Sequence, residues 1–448
     1  MAEAVSSRRI AHTVLVEVDS GDAYANLVLP KLLQKARLSV RDRAFATELA
    51  YGTLRAQGTL DHLLEPHLNR PLLDLDPEVR AALRLGTYQL WRTRVPSYAA
   101  VGQTVSLVPQ RARGFANAVL RAVGTAMDGP DPLRLQALAN PLDRVALATA
   151  HPRWIVDAYL AALGGDVGET EVALTADDAR PTVHLAAIPG RITAADLAVE
   201  SGGRIGELSP YAVYLDEGGD PGALASVRRG AARAQDEGSQ LCALALVRAL
   251  ADTGTELGEQ PGRNHGALLD LAAGPGGKAA LLAALVTDRP LVASDVRPHR
   301  ARLVRSGGVR DVVVADGRHA PYAPGAASAV LLDAPCTGLG ALRRRPEARW
   351  RRKPEDVAGL VALQRELLVA ALDLVRPGGV VAYVVCSPHL AEAVVPAEIL
   401  DTVDVLDTPA LLGLGADARA ADTGGLRLQL WPHRHGTDAM SATLLRRR

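Results

Sequence analysis

The sequence predicts a multidomain chain. An all-α head spans residues 1–138, a small α+β module spans 139–232, and an α/β domain with a doubly wound sheet spans 233–448. Three observations predict it. Apolar residues recur at helical steps from Arg8 to Gly124, a Gly/Pro/Asp-rich break follows, and strand and helix signals alternate from Gln235 onward.

In the head, Ile10, Val14, Leu15 and Val18 fall on one helical face, and Phe45, Leu49 and Leu54 on another. Ser39 with Asp42 three residues later reads as a capping box that opens the second helix. Pro71, Pro77 and Pro96 punctuate helix ends, and no strand-like alternation intervenes. The break Asp128-Gly129-Pro130-Asp131-Pro132 starts a linker. The middle module mixes a helix over 152–163 with short strands around 182–187 and 212–215.

In the last part, apolar strands are predicted at 267–272, 291–294, 312–315, 329–332 and 380–385. A long helix over 354–375 closes at Pro377-Gly378-Gly379, and 426–431 with 441–445 reads as a terminal hairpin. A βαβ series ending in an antiparallel pair suits a doubly wound sheet.

Composition narrows the function classes. Fifty basic and fifty acidic residues cancel, which argues against a protein coated in positive charge but allows a local basic groove. Three cysteines cannot build a disulfide framework, and free thiols fit a reducing compartment. No apolar run is long enough to span a bilayer, and the polar N-terminus lacks a signal-peptide core. The expected location is cytoplasmic, with no membrane partner. Lysine survives only at Lys31, Lys35, Lys278 and Lys353 in an arginine-biased chain, so Lys278 is informative as a compact charge aimed into a site.

Four motifs carry chemistry. Asp270-Leu271-Ala272-Ala273-Gly274-Pro275-Gly276-Gly277-Lys278 joins a strand to a helix. Its glycines admit close backbone approach, and the helix start offers free N–H groups. Asp295 and Asp316 end the next two strands, so three acids converge at strand tips. Acids, and no Gly-Lys-Ser/Thr ending, fit a phosphate-free nucleoside cofactor, S-adenosylmethionine. No metal site is expected.

The second motif is Asp333-Ala334-Pro335-Cys336-Thr337-Gly338-Leu339-Gly340, read as a mobile loop with a functional thiol. The third is Cys386 in Tyr383-Val384-Val385-Cys386-Ser387. A thiol can attack carbon where hydroxyls and carboxylates do so poorly, and a pair suggests covalent activation of an aromatic base. Cys242, on an apolar helix, reads as core. The fourth motif is Arg343 to Lys353, with seven basic residues, one acid and Trp350. It reads as phosphate contacts plus a stacking ring for single-stranded RNA.

Together these motifs resemble the RsmB (Sun/Fmu) family of bacterial 16S ribosomal RNA cytosine-5 methyltransferases. The resemblance extends to the entry segment Gln235 to Gln240. In the head, Leu83 to Leu90 and Phe115 to Arg121 are similar to a NusB-like RNA-binding domain.

The resemblance implies a Rossmann-like class I S-adenosylmethionine-dependent methyltransferase domain. Ala272, Ala273, Gly274, Pro275, Gly276, Gly277 and Lys278 would hold the cofactor, Asp295 its ribose and Asp316 its adenine side. Asp333 would lie beside both methionine end and target base. Cys386 would be the nucleophile and Cys336 would assist release. The implied partner of this monomer is 16S ribosomal RNA with a single-stranded or splayed cytosine, as naked RNA or precursor subunit. Transfer-RNA cytosine methylation and a non-catalytic ribosome assembly factor are the alternatives.

The sequence departs from the family pattern at four places. Ala272 and Gly274 stand in the cofactor loop where the family has Cys and Ala. Val183-His184-Leu185 replaces Arg-x-Asn. Leu390-Ala391-Glu392-Ala393 replaces Pro-Glu-Glu-Asn, and Asp438-Ala439-Met440-Ser441 replaces Asp-Gly-Phe-Phe.

Overall fold

The structure, a computed structural model, describes residues 6–21, 23–216, 218–256 and 266–448. Two compact units emerge, Met1–Ala179 with Leu342–Lys353, and Arg180–Ala341 with Pro354–Arg448. The 139–232 stretch gives its helices up to Asp178 to the first unit and its strands to the second.

The first unit is helical throughout. Ser39 caps the helix Val40–Arg55 by accepting from the Asp42 amide, and its hydroxyl donates to Asp42 Oδ2 at 2.7 Å. Asp76 caps the helix Pro77–Arg92, with proline at its first position. That helix lies close to Arg113–Met127 because Gly86 has no side chain, and a Cβ there would fall 2.6 Å from Leu120 Cδ2. Leu49, Leu54, Leu60, Leu85 and Tyr88 form one core cluster, and Leu83, Val119, Leu120 and Val123 form another. Arg84 spans Asp61 (2.7 and 2.8 Å) and Asp19 (3.0 Å), so its buried guanidinium is fully paired.

Part of the arginine-rich run packs into this unit, which corrects its reading as an RNA-contact face for Arg343 and Arg349, both buried, while Arg345 and Lys353 are exposed. Arg349 is fully buried, with Nη1 3.3 Å from Asp178 Oδ1 and Nη2 3.6 Å from Asp177 Oδ2. It also donates to the carbonyls of Arg55, Ala150 and Asp177. Asp177 is shared with the buried His151 ring at 3.1 Å. Trp350 Nε1 donates to Leu54 O at 2.8 Å, and its ring lies where a Cβ on Gly58 would be. Arg351 donates to the carbonyls of Val18, Gly21 and Ala23. Backbone carbonyls and carboxylates at loop ends absorb these charges, so spacing along the chain could not separate them from a solvated basic face.

In the second unit a four-stranded antiparallel sheet comes first: β1 (Val183–Ala187), β2 (Arg204–Ile205), β3 (Ala212–Leu215) and β4 (Ala232–Ala234), in the order β2-β3-β1-β4. His184 is buried in it, stacked on Tyr214 at 4.4 Å and paired with Asp236 at 3.2 Å. The residue that departs from Arg-x-Asn therefore does structural work.

The large sheet contains β5 (Ala267–Asp270), β6 (Leu291–Asp295), β7 (Asp311–Val314), β8 (Ala327–Asp333), β9 (Val375–Val385), β10 (Val403–Leu406), β11 (Leu428–Gln429) and β12 (Ser441–Arg447). Its path runs β10-β12-β9-β8-β5-β6-β7, with β11 paired to β12. The central strands are parallel, and β12 is antiparallel to β9 and β10. Strand direction in the sequence reverses its spread between β5 and β8, which opens a crevice at their carboxyl ends. The expected terminal hairpin shrinks to two residue pairs of β11 with β12. The main partners of β12 are β9 and β10, and four-residue β10 with Asp404 inside gave no apolar run to detect. One sheet face packs Leu268, Leu331, Ala382 and Val384 against the helix Glu237–Glu256, where Cys242 is core as expected. The other packs Leu269, Val330, Leu332 and Tyr383 against Glu355–Leu374. Among the described residues, no helix is long and apolar enough to cross a membrane.

Candidate active site

The loop after β5 is a cradle lined by three glycines without room for side chains. A Cβ on Gly274 would sit 2.5 Å from Asp295 Oδ2 and 2.6 Å from Arg300 Cβ. One on Gly276, whose φ is +96°, would meet the Val304 backbone at 2.9 Å, and one on Gly277 would press on Gln235 at 3.3 Å. The Ala-to-Gly departure at 274 is thus matched to the neighbours Asp295 and Arg300. Gly276 caps the helix Gly277–Leu285 without a side chain, leaving its first N–H groups for a ligand.

The acids lie at strand tips as expected. Asp295, at the end of β6, is buried and accepts from the amides of Gly274 (3.1 Å) and Arg297 (2.8 Å). Asp316, after β7, is partly exposed and held by the Arg318 side chain and amide, which bring its carboxyl down to about 2. Asp333 ends β8 and binds Lys278 Nζ through Oδ2 at 2.8 Å. Lys278 is buried, yet Asp333 keeps it charged against that desolvation. Asp270 is 1% exposed, and its Oδ1 has no hydrogen-bond partner. Burial, then the neighbouring Asp333, push its carboxyl up to about 8, so it carries a proton at neutral pH.

The two thiols come together at the tips of β8 and β9. The amides of Gly338 and Cys386 approach the Cys336 sulfur, and each thiol feels the charge of Asp333. The loop that carries Cys336 is pinned, in contrast to its reading as mobile. Gly340 N donates to Cys386 O at 3.0 Å, and Ala439 N donates to Gly340 O at 2.9 Å. A Cβ on Gly340 would overlap Ala439 O, at 2.0 Å. Thr337 donates its amide (2.7 Å) and hydroxyl (2.6 Å) to fully buried Glu392.

Neither thiol is activated in this state. Burial, then Glu392 and Asp333, raise Cys336 to about 12. Burial, then Asp438 and Cys336, hold Cys386 well above an ordinary thiol. Lys278 pulls Cys386 the other way and is outweighed.

Sequence reasoning missed several residues here. Arg233 of β4 donates to Gly276 O (2.9 Å) and Pro275 O (3.3 Å), bracing the cofactor loop from the small sheet. Gln235, two residues on, is buried beside Gly277 with an unpartnered Oε1. The entry segment 235–240 was the available signal, without roles. Glu392 anchors the thiol loop, and its signal was the glutamate it keeps from the family's Pro-Glu-Glu-Asn. Gln364 donates to Pro335 O at 2.8 Å, and nothing in its helical context marked it.

The donor set fits a cationic nucleoside without phosphates. The N–H groups at the helix start suit a carboxylate, and Asp295 and Asp316 keep acceptor capacity for hydroxyl and amine donors. Among the described residues no cluster of His, Cys, Asp and Glu could hold a metal ion. Residues 260–446 match the family described as 16S rRNA methyltransferase RsmB/F, and residues 5–125 match the NusB family. A relative named "Ribosomal RNA small subunit methyltransferase B" from Pseudomonas syringae is 32% identical over 94% of this chain and 90% of its own length.

The chain belongs to the 16S rRNA methyltransferase RsmB/F family. This is a family of S-adenosylmethionine-dependent enzymes. The "Putative methyltransferase Rv1407" of Mycobacterium tuberculosis is 50% identical over 98% of this chain and 96% of that protein. Among solved structures, PH0851 shares the fold at TM-score 0.75 and 22% identity, covering 99% of this chain and all of that one. NSun6 from Pyrococcus horikoshii, solved with SFG, does so at TM-score 0.52 and 17% identity, over 66% of this chain and 98% of that one.

Proposed function

We propose that this protein methylates C5 of a cytosine in 16S ribosomal RNA through a covalent adduct between Cys386 and C6. The observation that carries the reading is the meeting of Cys386 and Cys336 at adjacent strand tips, beside the Lys278–Asp333 pair and the cofactor cradle. Methyl transfer to an amine, oxygen or protein side chain has no use for two thiols so placed.

The residues divide the work. The backbone from Ala272 to Lys278 binds the cofactor, with Asp295 on its ribose and Asp316 on the adenine side. S-adenosylmethionine, when bound, supplies an electrophilic methyl group and a sulfonium charge. The proton of Cys386 passes by way of the Asp333 carboxylate to N3 of a cytosine flipped from its stack as the sulfur bonds to C6, which makes C5 nucleophilic. Asp333, oriented by Lys278, accepts from the exocyclic amine, and the Lys278 cation beside it stabilises the negative charge that develops in the ring as the proton moves. After C5 has gained its methyl, its proton must leave. A water held by Cys336, or Cys336 once it has given up its own proton, takes it, and the Cys386–C6 bond breaks with the N3 proton returning to the sulfur. A pinned Cys336 loop keeps that acceptor at a fixed place.

Unmodified 16S RNA or precursor subunits, incubated with the protein and S-adenosylmethionine and mapped for 5-methylcytosine, provide the test. Wild type should modify one cytosine, Cys386→Ala none, and Cys336→Ala should accumulate a covalent protein–RNA species stable to denaturing gels. Turnover by Cys386→Ala, or exclusive modification of transfer RNA, would overturn the reading.

A further inference from the structure

Residues 297–310 hold five arginines, one histidine and no acid. They form the helix Pro298–Ser306 and the turn after it. Arg297, His299, Arg302, Arg305 and Arg310 are exposed. Among the described residues, the one ion pair that any of these arginines makes is Arg300 with Asp295, at 4.0 Å, although Asp311 follows Arg310 in the chain. What sets the stretch apart is five arginines in fourteen residues without an acid among them, in a chain with equal numbers of acids and bases where arginines such as Arg153, Arg84 and Arg204 have carboxylates at 2.6–3.0 Å.

At its C-terminal end the helix gains from Arg305, which sits in the last turn, but the rest of the charge is unfavourable to it. Arg297 is an N-cap without a side-chain cap, and His299 and Arg300 sit in the first turn, where the helix dipole favours anions. Arg302 and Arg305 are three residues apart and repel. Each unfavourable term is a few tenths of a kcal/mol. Two further arginines extend the surface at its far end. Arg191 lies 3.0 Å from where a Cβ on Gly308 would be, and Arg233 lies 2.8 Å from the same point on Gly307. Neither has a carboxylate partner among the described residues. At the near end Arg300 flanks Gly274 and Asp295 of the cofactor cradle.

We propose that this face, from Arg297 along the helix to Arg310 and Arg191, carries the phosphate backbone of the RNA substrate toward the cradle. The proposal rests on the RNA reading above, and it names a place for the strand other than the Arg343–Lys353 run. Arg305 donates to the Val312 carbonyl and Arg191 to the Gly230 carbonyl, which leaves their charge unneutralised, and exposed cations without a close carboxylate suit phosphates, which need charge and donors but no base readout. Exposed Leu303 and Val296 lie among them as apolar contacts for riboses or bases.

The test uses the full chain and a 16S RNA fragment, with binding followed by fluorescence anisotropy across a salt series. Three residues outside the cradle are changed together, Arg302→Gln, Arg305→Gln and Arg310→Gln, alongside a matched triple to lysine. Three lost phosphate contacts should flatten the slope of log affinity against log salt by about 2 and weaken binding on the order of 10–100-fold at moderate salt. The lysine triple should stay within about threefold of wild type, and S-adenosylmethionine affinity and thermal midpoint should not move. An unchanged slope in the glutamine triple overturns the proposal. So does loss of binding to phosphatidylglycerol vesicles with RNA affinity intact. Should wild type bind RNA without methylating cytosine, the proposed reaction falls while the salt slope still decides this face.

Discussion

Lys278 Nζ lies 2.8 Å from Asp333 Oδ2, joining the helix after β5 to the tip of β8 across the switch in strand order. The bond ties the cofactor cradle to the thiol loop with one buried cation. Asp333→Asn would strand that cation, but Asp270 can ionise in part to compensate, since burial still opposes its charge while the repulsion of Asp333 is gone and Lys278 favours it. The expected loss in urea unfolding is therefore about 1–3 kcal/mol, below the full cost of an orphaned buried charge. Methyl transfer should fall by at least 100-fold with cofactor affinity nearly kept. A variant as active as wild type would remove Asp333 from the chemistry.

Asp270 predicts how the protein answers pH. Its folded pKa of about 8 lies above the unfolded value near 3.9, so the folded state holds the extra proton between them. Stability without cofactor should fall as pH rises from about 4 to 8, and the loss should be complete above 8. Asp270→Asn should flatten that part of the curve in thermal melts from pH 4 to 9. A cationic cofactor beside this carboxyl lowers its pKa, so binding at pH 7 should release protons. Calorimetry in buffers of different ionisation enthalpy reads this directly.

Both thiols are protonated at neutral pH in the structure described. Iodoacetamide labelling of Cys336 and Cys386, followed by mass spectrometry, should be slow at pH 7. It should climb about tenfold per pH unit up to at least pH 9, because only the thiolate reacts. A plateau near pH 7 for Cys386 would mean that an activating partner dominates. Addition of cofactor should speed Cys386 if the sulfonium charge reinforces Lys278.

Arg349→Met separates a structural from an RNA-binding role for the arginine-rich run. Removing the guanidinium leaves Asp177 buried, with the His151 ring as its one side-chain partner among the described residues, and burial still opposes charging of that ring although Arg349 no longer does. The helical unit should lose about 3–5 kcal/mol. At a temperature where the variant is folded, RNA affinity should match wild type. A weakened affinity with unchanged stability would restore the surface reading.

Much of the architecture was legible because periodicity and punctuation reflect local physics. Ser39 capping, proline at the first position of Pro77–Arg92, and apolar strands leading to Asp295 and Asp333 survive into the structure, while the strand expected over 267–272 stops at Asp270. The sequence could not show how charge is spent. Arg349 and Arg302 look alike in a string, yet one is enclosed by carbonyls and acids while the other faces solvent. Arg233 and Glu392 act through contacts 43 and 55 residues away, which no local pattern encodes. Strand β10 was invisible because edge pairing asks little of side chains. Cys336 looked loose because Gly338 and Gly340 flank it, whereas Gly340 is there to admit the Ala439 carbonyl.

Leu342–Lys353 has a practical consequence for anyone dissecting this protein. A catalytic fragment started at Arg180 would still contain the piece whose Trp350 and Arg349 line the inside of the helical unit, now with nothing to fill. The complementary fragment ending at Ala179 would lack that filling. Clumping or poor yield from either product would reflect an interlaced fold, and cleavage-based assignments of which half recognises nucleic acid should be read from whole-length variants instead.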